Sequence, residues 1–124
     1  MAYTNIWEKT GLHRLFTGEV SGCEIFESNV EHHSDVRFKD IEYVINDFLG
    51  VSSHSVEVGH TEIYASTDEM ISRTKHQLKI ALVVPQGPLL DLANNYCSLM
   101  REQVFECDVF HTLEDARHWA TSKT

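Results

Sequence analysis

Eight histidines, His13, His32, His33, His54, His60, His76, His111 and His118, are the residues of this chain whose type most invites chemistry. Imidazole ligates metals and titrates near neutral pH. Their spacing argues against a metal site. No His-x-x-x-His or Cys-x-x-Cys pair supplies neighbouring ligands, and the adjacent His32 and His33 project from different sides of a helix. Solvated histidines and no metal or other cofactor are the expectation. A second cluster, Ser52, Ser53, His54 and Ser55 with Asp47 upstream, lies after an apolar run, in the carboxyl-end turn of a strand. A phosphate on a serine at the start of the next helix would meet free amides and a favourable dipole. Unmodified, Ser55 caps that helix and the other serines bond the loop backbone. Asp47, His54 and a serine have the residue types of a hydrolytic triad, but the chain has no Gly-x-Ser-x-Gly elbow. Cys97 falls beside the apolar stripe of the third helix and Cys107 on an apolar-facing strand position, and both read as small core residues. With no Gly-x-Gly-x-x-Gly and no Gly-Lys-Ser/Thr, the commonest nucleotide sites are not encoded, and no acid, base and nucleophile set has the spacing of an enzyme site.

The elements that must position these residues follow from periodicity. Tyr3, Ile6, Trp7, Leu12, Leu15 and Phe16 around Lys9-Thr10-Gly11 predict an opening β-hairpin over 3–9 and 12–18. Ser21-Gly22-Cys23-Glu24 is a capping box, and Cys23, Phe26, Val30 and His33 behind it predict the inward stripe of a first helix ending near Ser34-Asp35. Ile41 to Phe48 and Leu78 to Val84 lack strict alternation, as do strands covered on both faces. Between them Val56, Gly59, Ile63, Thr67 and Met70 predict a crossover helix beginning near Ser55. Leu89, Leu92, Ala93, Tyr96 and Met100 predict a third helix, with Pro88 in its first turn. Phe105, Cys107 and Val109 predict a last strand near the sheet edge, and Thr112 caps a helix with Leu113, Ala116, Trp119 and Ala120 inward. The order is ββαβαβαβα: an α/β fold with a mixed, mainly parallel sheet and flanking helices, in one domain over 1–124. Sites in such sheets favour the carboxyl ends of strands, here Asp47 to Ser55 and the Pro85-Gln86-Gly87-Pro88 loop.

This order, the Asp47-x-x-Gly50-Val51 strand exit and the closing segment Leu113-Glu114-Asp115-Ala116-Arg117-His118-Trp119 together resemble the SpoIIAA-like/STAS-like family, over nearly the whole chain. The resemblance implies a non-enzymatic regulatory or protein-interaction module. In the anti-sigma-factor antagonists of that superfamily, a serine at the start of the helix after this strand is phosphorylated, and the unmodified surface binds a kinase-like partner. The regulators' Asp-Ser pair falls here on Ser55-Val56, so Val56 stands where that serine would be. Related chains include lipid carriers with an apolar pocket.

Composition narrows the partners. Ten Lys and Arg stand against 19 Asp and Glu, a formal charge of −9, which opposes binding to nucleic acid or an anionic membrane surface. No apolar run reaches the roughly 18 residues of a membrane span, Met1 to Lys9 lacks a signal-peptide pattern, and three widely spaced cysteines suit reduced thiols, so a cytoplasmic location is expected. Two readings follow. In the first, a protein partner docks on Asp47, Ser52, Ser53, His54, Ser55, Pro85 and Gln86. In the second, an apolar cleft between the sheet and the second and third helices carries a small molecule or lipid. The second rests on Ile63, Tyr64, Met70, Ile71, Leu89, Leu90 and Met100, more apolar residues than one narrow stripe needs, which a homodimer interface would also use.

Overall fold

A computed structural model describes residues 3–122. Its elements are β1 (Tyr3–Trp7), β2 (Gly11–Val20), α1 (Gly22–His33), a 3-10 turn (Val36–Asp40), β3 (Tyr43–His54), α2 (Val58–Ile71), β4 (Lys79–Val83), α3 (Pro88–Met100), β5 (Glu106–Phe110) and α4 (Leu113–Ala120). The five strands form one sheet in the order β1-β2-β3-β4-β5, antiparallel at β1–β2 and parallel elsewhere. The ββαβαβαβα order is therefore present, with β5 at an edge as its alternating pattern requires.

Period-two alternation divides the strand side chains between two layers. Leu12, Phe16, Val44, Ile80, Leu82 and Val84 share a core with Ile25 of α1, Tyr64 and Ala65 of α2, and Ala93, Tyr96 and Met100 of α3. On the other face Tyr43, Ile45, Ala81 and Val83 meet Ala116 and Ala120 of α4. Among the described residues no helix is long and apolar enough to cross a membrane.

Two helix caps form where the sequence places them. The Ser21 Oγ accepts from the Glu24 amide at 3.0 Å while the Glu24 carboxylate accepts from the Ser21 amide at 2.9 Å, and Thr112 Oγ1 accepts from the Asp115 amide at 3.1 Å. The inward face of α1 differs from the expected stripe. Cys23, Phe26 and Val30 are exposed, and Gly22, Ile25, Ser28, Asn29 and His32 are buried. The helix is turned so that two polar residues face a buried arginine. α2 departs likewise: it begins at Val58 behind Glu57, not near Ser55, and buries Thr61, Tyr64, Ala65 and Asp68, leaving Ile63 and Met70 exposed.

The third departure is β3, which continues to His54. Its pairing with β4 ends at Asp47–Val83, but its pairing with β2 runs on through Glu19–Ser53 and Val20–His54. Ser52 and Ser53 thus stand on a two-stranded extension of the sheet instead of in a strand-to-helix turn. Ser55 follows it, donating its amide to the Val20 carbonyl at 3.1 Å, and does not cap α2.

Candidate functional site

A polar residue interrupts the apolar alternation of each of two neighbouring strands, Leu12-x-Arg14-x-Phe16 and Val44-x-Asn46-x-Phe48, and the register sets Arg14 directly beside Asn46. Both face the α1–α3 layer. Arg14 is 2% exposed, the largest of the fully buried side chains. Its Nη1 donates to Asn29 Oδ1 at 2.8 Å and Asn46 Oδ1 at 2.9 Å, and its Nη2 donates to Ser28 Oγ. All three acceptors are neutral, and the buried Nε–H has no acceptor. Burial lowers the Arg14 pKa to about 10, so the guanidinium stays charged at neutral pH.

Arg14 lines a cavity between the sheet and α1–α3. Its polar wall adds Asn29, Asn46, His32, His33, Asp68 and Tyr96, and its apolar wall includes Ile25, Val44, Ile80, Leu82 and Ala93. About 80 Å³ is open to the centres of water-sized molecules. At the roughly 10–15 Å³ that one water needs by that measure, this is room for about five to eight waters. That is the size of a short organic acid, not of a two-chain lipid. Of the half-buried lining residues, Phe48 and Val56 lie past the last β3–β4 pair and before α2, and Leu89 and Leu92 lie in the first turns of α3. The cavity thus reaches toward the carboxyl ends of the central strands, where open α/β sheets bind ligands.

The acid of the cavity is Asp68, on α2. Tyr96 donates its hydroxyl to Asp68 Oδ2, and His33 Nε2 is 3.6 Å from Oδ1. Burial raises the Asp68 pKa to about 6, against the lowering effects of Tyr96 and Arg14. His33 is held down to about 4 and His32 well below its usual value, first by burial and then by the Arg14 charge. At neutral pH the cavity therefore holds one permanent cation, two neutral imidazoles and one carboxyl poised near its titration. The expectation of solvated histidines fails for His13, His32 and His33, because each is enclosed with a specific partner: Asp47 at 3.0 Å from His13, the Ser28 carbonyl at 3.0 Å from His32, and Asp68 at 3.6 Å from His33. Nor do His32 and His33 part to different sides: both line this cavity, with ring centroids 4.4 Å apart.

The residues singled out from the sequence do not share this cavity. Asp47 points to the opposite face of the sheet, where its carboxylate also accepts from the Leu49 amide at 3.1 Å. Ser52 and Ser53 are exposed on the β2–β3 extension, Ser55 is exposed beyond it, and His54 accepts from the Val56 amide through Nδ1 at 3.2 Å. Pro85 is half-buried and Gln86 exposed in the turn before α3. Sequence reasoning passed over Arg14, Asn46, Ser28, Asn29 and Asp68. The available clue was the polar residue in each of two apolar strand patterns. Among the described residues no group of three or more His, Cys, Asp or Glu is placed to share a metal ion. No protein-family model matches the chain, and no curated protein or solved structure shows significant similarity to it.

Proposed function

We propose that this protein is a non-enzymatic small-molecule-binding module whose cavity takes a short aliphatic monoanion, with the carboxylate on Arg14 and the chain along the apolar wall. The observation that carries the reading is the buried guanidinium: its acceptors are neutral and its Nε–H is unclaimed in a cavity with room for a ligand. Burying an ion with no carboxylate in contact costs several kcal/mol; Asp68 supplies only a longer-range counter-charge, and a carboxylate ligand adds a charge-assisted bond. Asp68 makes no hydrogen bond or ion pair to Arg14 among the described residues, so the anion has no protein carboxylate to displace.

Calorimetric titration with hexanoate, hexan-1-ol and hexylamine tests this. The expected result is saturable hexanoate binding, weaker hexanol binding and none for hexylamine. Arg14→Met should lose at least about tenfold in hexanoate affinity while keeping that for hexanol, because a hydrogen bond to a charged group contributes about 1.5–3 kcal/mol. Unchanged hexanoate affinity in the variant overturns the role of Arg14, and no hexanoate binding by the wild type overturns the reading.

A second reading, the STAS-like protein-interaction module, is favoured by Ser52 and Ser53. Both are exposed, and their hydroxyls bond to no other described residue, which leaves them open to a kinase or a partner. That reading expects partner capture to depend on Ser52 and Ser53 and to be indifferent to Arg14→Met.

A further inference from the structure

We propose that Cys97 and Cys107 are a covalent modification site, joining as an intramolecular disulfide when the protein meets a low-molecular-weight disulfide such as oxidised glutathione. Cys97 lies on α3 and Cys107 on β5, and both pack against the main core. The parallel register places Cys107 beside Ile80, whose side chain belongs to the α1–α3 layer, so the Cys107 side chain projects toward α3. The two sulfurs are 2.6 Å apart as thiols. Both are free thiols, as is the exposed Cys23. Two thiols ten residues apart in sequence are thus already docked in the arrangement a cross-link requires, and closing it needs no rearrangement of the sheet.

The exchange balances without any further redox partner. The Cys97 thiolate attacks one sulfur of oxidised glutathione, forming a mixed disulfide and releasing one glutathione thiolate. Cys107 then attacks the Cys97 sulfur as its thiol proton passes to the departing glutathione sulfur, and the second glutathione leaves as a thiol. Two protein thiols and one glutathione disulfide become one protein disulfide and two glutathione thiols. Cys97 attacks first because burial, the neighbouring Cys97 and the carboxylates of Asp68 and Asp108 raise the Cys107 pKa, and the part due to Cys97 is removed once Cys97 is in the mixed disulfide. The product ties α3 to the edge strand β5 next to Tyr96, which holds Asp68 in the cavity wall. The site is independent of the ligand proposed above.

The test uses the whole wild-type chain, folded, incubated with oxidised glutathione, alkylated and digested with trypsin. Cleavage after Lys79, Arg101 and Arg117 puts Cys97 in the peptide 80–101 and Cys107 in the peptide 102–117. The expected product is these two peptides linked to each other, lighter by about 2 Da than their sum for the two hydrogens lost, and separated again by reductant. Recovery of both peptides alkylated, under conditions that convert the exposed Cys23 to its glutathione adduct, overturns the proposal. So does a stable glutathione adduct on Cys97 with Cys107 still alkylated.

Discussion

A guanidinium taken out of water must recover its solvation from the protein, and Arg14 recovers part of it from Ser28, Asn29 and Asn46. Removing one acceptor leaves charge less well met: Asn46→Ala should destabilise the fold by about 1–3 kcal/mol in urea unfolding. A second residue-scale constraint is Gly11, where a Cβ would overlap the ring of Tyr43, itself 4% exposed and donating its hydroxyl to Glu8. Gly11→Ala should therefore lower the thermal midpoint markedly, whereas Gly59→Ala, with open space around its α-carbon and a helical position, should raise or preserve it. At this scale the sequence is legible where a residue's role is local. Ser21 and Glu24 cap as their spacing requires, because a capping box involves four consecutive residues. Arg14 is not legible alone: its burial depends on Asn29 and Asn46, 15 and 32 residues away.

At the scale of elements, strand and helix order follows from periodicity, but which helix face turns inward does not. A stripe through Cys23, Phe26 and Val30 is the more apolar side of α1, yet the helix presents Ile25, Ser28, Asn29 and His32, since that face satisfies the arginine and keeps one aliphatic anchor. Substitutions on the two faces should separate: Ile25→Ala should cost about 2–4 kcal/mol and Val30→Ser less than about 0.5 kcal/mol, by chemical denaturation. A result with the costs reversed would restore the stripe read from the sequence. β3 shows a different difficulty. Leu49-Gly50-Val51-Ser52-Ser53 reads as a turn by composition, but β2 supplies pairing partners for Gly50, Val51, Ser53 and His54, and pairing overrides propensity.

For the whole molecule, the titratable groups of the cavity set both stability and binding. In the unfolded chain His32 and His33 take up protons as pH falls through about 6.5, whereas in the fold His33 does so only near about 4 and His32 is likewise held well below its usual value. The unfolded state thus binds more protons in that window, and their contribution to stability is lost as pH falls from about 6.5 toward 4. Asp68 acts in the opposite sense, since its folded pKa near 6 lies above the unfolded value, and the fold gains a proton first. Asp68→Asn should therefore steepen the loss of stability between pH 6 and 4, by up to about 1.4 kcal/mol per pH unit. The same carboxylate repels a bound anion. Hexanoate should bind more tightly at pH 6 than at pH 8, and Asp68→Asn should bind it about fivefold more tightly or better at pH 8 and flatten the dependence.

The most direct measurement is the 15N-correlated spectrum of the arginine Nε–H groups during a hexanoate titration. Five arginines contribute, and Arg14→Met identifies the signal of interest by its disappearance. The account predicts a saturable shift of the Arg14 Nε–H as that donor acquires a carboxylate acceptor, with the exposed Arg37 and Arg73 signals unmoved. An Arg14 signal that stays in place while hexanoate is raised to saturation, or that drifts in step with Arg37 and Arg73, would contradict it.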